Sequence, residues 1–121
     1  MLVTILGSDN MDIFGIKLDT RPTEIAEIAE FSLFDVNWID PFRRTAHSAK
    51  VPAYHTKDHS FVTLDRLMDL ERAYSKFGFK RYDQSTLINE QRVQDKVAAK
   101  NGTRIYFVDG SYVIVRSKLN M

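Results

Sequence analysis

The stretch Thr103-Arg-Ile-Tyr-Phe-Val-Asp-Gly-Ser-Tyr-Val-Ile-Val-Arg116 sets two runs of β-branched and aromatic residues on either side of Asp109-Gly110. An Asp-Gly pair tolerates the positive φ angles of a two-residue type I′ turn, so the stretch predicts an antiparallel hairpin. That turn sets a register in which Phe107 faces Tyr112, Tyr106 faces Val113, Ile105 faces Ile114 and Arg104 faces Val115. Opposed residues share a face. The expected core face is therefore Ile105, Phe107, Tyr112 and Ile114, packed on a helix of the central chain. The other face is too apolar to stand in water, which makes Tyr106, Val113 and Val115 candidates for a surface that a partner covers. A hairpin alone is marginal in water, so the rest of the chain must back it.

Working upstream, a polar helix is expected from Asp83 or Ser85 to about Lys100, ending at Asn101-Gly102. On it Arg92, Lys96 and Lys100 recur every fourth residue as a basic stripe. Another helix is expected from Thr63 to Phe77, with Gly78 as its left-handed C-terminal cap. Phe79 to Tyr82 alternates and reads as a short strand joining the terminal hairpin. Before it, Phe42 to Ser60 sustains no period apart from a short strand near Val51 to Tyr54. Asp19-Thr-Arg-Pro22 reads as a helix entrance, followed by Ile25, Ile28 and Ala29 at helical spacing. Leu2 to Leu6 and Met11 to Leu18 read as strands around a Gly7–Asn10 turn. The expectation is a single α+β domain over 1–121: an antiparallel sheet from N- and C-terminal hairpins, with about three helices between them.

The totals narrow the function classes. Seventeen Lys and Arg against 16 Asp and Glu leave a formal charge of +1, so any electrostatic recognition must rest on local clustering. The absence of cysteine excludes disulfides, thiol catalysis and cysteine-based zinc sites. No apolar run approaches the ~20 residues that span a bilayer, and the first residues lack the basic and apolar regions of a signal peptide. A cytoplasmic protein that does not bind membranes is expected.

Local charge gathers in the central loop. Arg43, Arg44, Lys50 and Lys57 accompany His47, His55 and His59, with Phe42, Tyr54 and Phe61 interleaved. Arg and Lys neutralise phosphates and aromatic rings stack on bases, so this loop suits nucleic acid. The order of a basic helix followed by a tight hairpin adds a winged-helix possibility, with Arg92, Lys96 and Lys100 facing DNA. His55 and His59 lie four apart, but no carboxylate set completes a metal site there, and Asp9, Asn10 and Asp12 lack the remaining positions of a calcium loop. No metal, cofactor or catalytic residue is assigned.

Arg72-Ala-Tyr-Ser-Lys-Phe-Gly-Phe-Lys80 resembles the helix-to-strand junction of the acyl-CoA N-acetyltransferase superfamily. The resemblance implies a general-acid role for Tyr74. It covers nine residues, and the chain lacks the glycine-rich pyrophosphate loop of that family. The sequence thus favours a small non-catalytic binding module that contacts nucleic acid or a protein handling it. The proposed contacts are Arg43, Arg44, Lys50, Lys57, Arg92, Lys96 and Lys100. The alternatives are an adaptor, inhibitor or homodimer using Tyr106, Val113 and Val115, and a degenerate acetyltransferase-like domain.

Overall fold

A period of two, rather than 3.6, governs most of the chain. The computed structural model describes residues 11–18 and 27–117. Among them run β1 (Asp12–Lys17), β2 (Ile28–Ser32), β3 (Trp38–Phe42), β4 (Val51–His55) and β5 (Ser60–Val62). The helix α1 (Leu67–Tyr74) follows, then β6 (Phe79–Arg81), β7 (Leu87–Asn89), β8 (Val93–Ala99), β9 (Gly102–Phe107) and β10 (Tyr112–Val115). A seven-stranded sheet has the order β2-β1-β5-β4-β3-β7-β6, and a three-stranded sheet the order β10-β9-β8. Every pairing is antiparallel. At 47% strand and 17% helical, with one α-helix, the described residues are β-rich, which corrects the expected α+β fold with about three helices.

The expected helix from Ser85 to Lys100 is instead two strands joined by a 3₁₀ turn at Glu90–Arg92. Leu87, Ile88 and Asn89 are consecutive and all buried, as in a strand covered on both faces. Asn89 fixes the bend: its carboxamide donates to the Val36 carbonyl at 2.9 Å and accepts the Gln91 N–H at 3.2 Å. Ile28 and Ala29, placed on a helix by their spacing, lie in β2 and pair with Ile16 and Gly15 of β1. The predicted strand over Leu2–Leu6, its turn and the helix entrance at Asp19–Pro22 lie outside the described residues. Four expectations hold: a strand within Met11–Leu18, one at Val51–Tyr54, one at Phe79 and the left-handed cap at Gly78, with φ 98°. Phe79, however, begins a strand that pairs with β7. The central helix also starts later than Thr63, whose hydroxyl donates to Asp65 at 2.9 Å.

The terminal hairpin exists, shifted by one residue. Tyr106 faces Tyr112, Ile105 faces Val113 and Thr103 faces Val115. The turn is not type I′, because Gly110 alone there has positive φ, at 93°. Phe107 N–H donates to the Ser111 carbonyl at 2.9 Å, and Gly110 N–H to the Phe107 carbonyl at 3.0 Å. A three-residue loop of this kind needs one left-handed residue, which glycine supplies without steric cost, whereas type I′ would force Asp109 there as well. A one-residue slip exchanges the faces. Ile105, Phe107 and Val115 are buried, while Tyr112 and Ile114 are 51% and 48% exposed.

Adjacent positions on β3 and β7 divide the core in two. Ile39 and Leu87 share a face with Phe31, Tyr54, Leu70 and Tyr74, under α1. Trp38 and Ile88, on the opposite face, pack with Ile105, Phe107 and Val115 of the smaller sheet. The larger sheet is thus the middle layer. The hairpin rests on Trp38 and Ile88, with Trp38 stacked on Phe107 at 5.7 Å, and not on the α1 face.

Candidate nucleic-acid interface

Register decides which charged residues meet. β3 runs toward Phe42 and pairs with β7 through Ile39↔Leu87, so the residues before Leu87 lie alongside Asp40–Phe42. The 83–86 turn and the loop 43–50 therefore leave the larger sheet at the same end. β9 pairs Gly102 with Ala99 and Thr103 with Val115, which brings the Lys100-Asn101 turn beside Arg116. Two bonds tie these pieces: Arg116 N–H donates to Asp83 at 2.9 Å, and the Thr103 hydroxyl to the Ser117 carbonyl at 2.7 Å. Arg43, Arg44, Lys50, Lys100 and Arg116 are all exposed at this one end. A cavity of about 680 Å³ there is lined by Asp83, Gln84, Ser85, Thr86, Ile114, Arg116 and Ser117.

Three of the sequence candidates lie elsewhere. Lys57 sits in the β4–β5 turn at the opposite end, where Asn37 N–H donates to the His55 carbonyl at 2.8 Å. Arg92 is half-buried and holds the hairpin tip, its Nε donating to Asn37 Oδ1 at 2.7 Å and an Nη to Asp109 at 3.1 Å. Asn37 in turn donates to Asp109 at 2.8 Å and to the Ser111 hydroxyl at 3.0 Å. Burial opposes ionisation of Asp109, but donors from Ser111, Asn37 and Arg92 outweigh it and hold its carboxyl well below the usual range. Lys96 lies on β8 with its ammonium 4.8 Å from the centre of the Tyr82 ring. With β8 a strand, the basic helical stripe and the winged-helix order both disappear.

Of the proposed partner surface, Val115 is fully buried, and Val113 is partly buried and packs against the same core. Tyr106 faces outward beside Tyr112 at 5.7 Å, with the Arg104 guanidinium 5.1 Å from the Tyr112 ring. His55 is occupied on both nitrogens, by Asp40 at 2.8 Å and Ser60 at 2.7 Å, and stacks on Trp38 at 4.5 Å. Among the described residues no group of three or more His, Asp or Glu is placed to hold a metal ion. Tyr74 is buried with its hydroxyl 3.3 Å from that of Tyr54, and burial pushes its ionisation far above the usual tyrosine range.

Sequence reading named Arg116 only as a hairpin residue of the winged-helix order and gave Asp83 and Gln84 no interface role. Asp83-Gln-Ser85 carries the letters of a helix N-cap, and the same letters make the Asx turn observed, where Ser85 N–H donates to Asp83 at 3.0 Å. Nothing in the local sequence separates the two.

An all-antiparallel, two-sheet scaffold that gathers basic loops at one end defines a loop-presenting binding domain. The chain belongs to the LytTr DNA-binding domain family, which matches residues 29–121, from β2 onward. A solved LytTr DNA-binding domain from Bacillus cereus is similar in fold, with a TM-score of 0.59 at 13% identity over 84% of this chain and 86% of that one. No curated protein sequence matches the chain. The partner class is thus nucleic acid. Among the described residues, no helix is long and apolar enough to cross a membrane.

Proposed function

We propose that the chain binds double-stranded DNA through the end formed by loop 43–50, the 83–86 turn, the Lys100-Asn101 turn and Arg116. The observation that carries this reading is the convergence, by strand register, of Arg43, Arg44, Lys50, Lys100 and Arg116 on one end of a chain whose formal charge is only +1. The carboxylates flanking these segments are already engaged: Asp40 accepts from His55 and Trp38, and Asp83 from backbone N–H groups. Phosphates would meet exposed cations with no ion pair among the described residues, and the exposed Gln84 stands at the tip of a turn beside them, suited to an adenine edge. Recognition by loops replaces recognition by a helix.

Five phosphate contacts give a salt slope of about −4.5, so affinity should fall roughly 500-fold between 50 and 200 mM salt. Replacing both Arg43 and Arg44 by Ala should flatten the slope by about two, while replacing Lys57 should leave it unchanged. Fluorescence anisotropy with a labelled duplex measures both. Failure of the folded chain to bind any duplex at low salt would end this reading.

A further inference from the structure

The interface contains a residue whose charge is wrong for it. Asp83 stands at the end where phosphates are expected, yet its carboxyl is held below the usual range despite partial burial. Both oxygens are engaged by backbone. Oδ1 accepts Ser85 N–H at 3.0 Å and Oδ2 accepts Arg116 N–H at 2.9 Å. Thr86 beside the same carboxylate also favours its ionised form, and Tyr82 N–H closes the turn on the Thr86 carbonyl at 3.0 Å. One side chain therefore joins a turn of the larger sheet, between β6 and β7, to the residue that follows β10 in the smaller sheet.

We infer that Asp83 is a positioning residue for DNA recognition, acting through the backbone to hold Arg116 and the Gln84 turn in one fixed relation; this rests on the interface proposed above. Gln84 is further steadied by its own carbonyl, which accepts an Arg81 guanidinium N–H at 3.2 Å, leaving its side chain exposed. The cavity between Gln84 and Arg116 has Asp83 and Thr86 in its wall, so the two outward side chains are spaced by the clamp beneath them. Asparagine cannot reproduce the clamp. Its amide offers one acceptor oxygen where two separated N–H donors need two.

The test turns on sign. Removing a carboxylate from a phosphate-facing end should tighten binding if charge alone matters. A positioning role gives the reverse. Asp83→Ala and Asp83→Asn should each weaken binding to a duplex selected by the wild-type chain from a random pool, by about tenfold, the scale of one lost oriented contact. Binding to an unselected random-sequence duplex should be unchanged or tighter. In an Arg116→Ala background the Asp83→Ala change should add less than about twofold, because coupled residues are not additive. Without DNA, amide exchange at Ser85 and Arg116 should quicken in both Asp83 variants, which reads the clamp directly. An Asp83→Ala chain that binds the selected duplex as well as wild type, an equal loss in both backgrounds, or unchanged amide exchange overturns the inference and leaves the interface standing. A wild-type chain that binds no duplex overturns both.

Discussion

Replacing Arg92 by Met separates two readings of one residue. The substitution keeps the apolar stem and removes the guanidinium that bridges Asn37, Asp109 and the Phe34 carbonyl, the last at 3.4 Å. Asn37 is fully buried, so its Oδ1 is left without a donor, a loss of about 1–3 kcal/mol. Asp109 keeps Asn37 and Ser111 but loses its countercharge, and removing one member of a buried pair costs about 3–5 kcal/mol. The side chains of Arg92 and Asp109 are 23% and 11% exposed, so water reaches the carboxylate and the low end applies, about 3 kcal/mol. With the stranded Asn37 oxygen the loss is about 4–6 kcal/mol, which for a chain of this size lowers Tm by roughly 16–24 °C. Thermal unfolding by circular dichroism measures it, with DNA anisotropy on the same preparation at a temperature where the variant is folded. A phosphate contact would leave Tm within about 2 °C of wild type and flatten the salt slope by about one. That pair of results would refute the clamp.

Two further outcomes follow from the same geometry. Phe107→Ala should cost about 3–5 kcal/mol, whereas Tyr112→Ala, on the exposed side of the hairpin, should cost under about 1 kcal/mol; equal losses in urea unfolding would restore the type I′ register. Asp109 is ionised more readily in the folded chain than its usual value of ~3.9, so its contribution is complete above that pH and is lost as the pH falls through the lower folded value. The stability gap between wild type and Asp109→Asn should accordingly narrow between pH 5 and the acid limit, and a gap independent of pH would remove the charge from the explanation.

How much of this was legible in the letters depended on whether one pattern had one physical meaning. Gly78 did, because a glycine after an apolar helix face supplies the left-handed cap and little else. Met11–Leu18 and Val51–Tyr54 were legible as strands from their β-branched and aromatic content. Arg92, Lys96 and Lys100 were not, since a four-residue repeat fits a helix face and, being even, also fits one side of a strand. The β-bulge between Val93 and Asp95 then breaks even that parity. The hairpin was legible and its register was not, because Asp-Gly serves a two-residue turn or the end of a three-residue loop. Gly102 sets the other end of that register: a Cβ there would lie 1.9 Å from the Val115 carbonyl oxygen, so only glycine lets β9 begin against β10.

The interface raises a different problem, one of charge bookkeeping in space. A formal +1 leaves nucleic-acid recognition to local clustering, and clusters arise because acids and bases are not mixed evenly. Glu71 and Asp69 are paired with Arg81 and Arg66, and Asp109 with Arg92. Each such pair largely cancels at its own site. Among the described residues Arg43, Arg44, Lys50, Lys100 and Arg116 at the interface end make no ion pair, and screening over about 10 Å at 0.1 M salt leaves nearby charges, Asp83 included, to set the local field. A phosphate approaching that end senses these cations and not the sum over the chain. Net charge therefore bounds function only when pairing is known, and pairing here is set by the fold, which brings Asp83 of the larger sheet's turn against Arg116 beyond the smaller sheet.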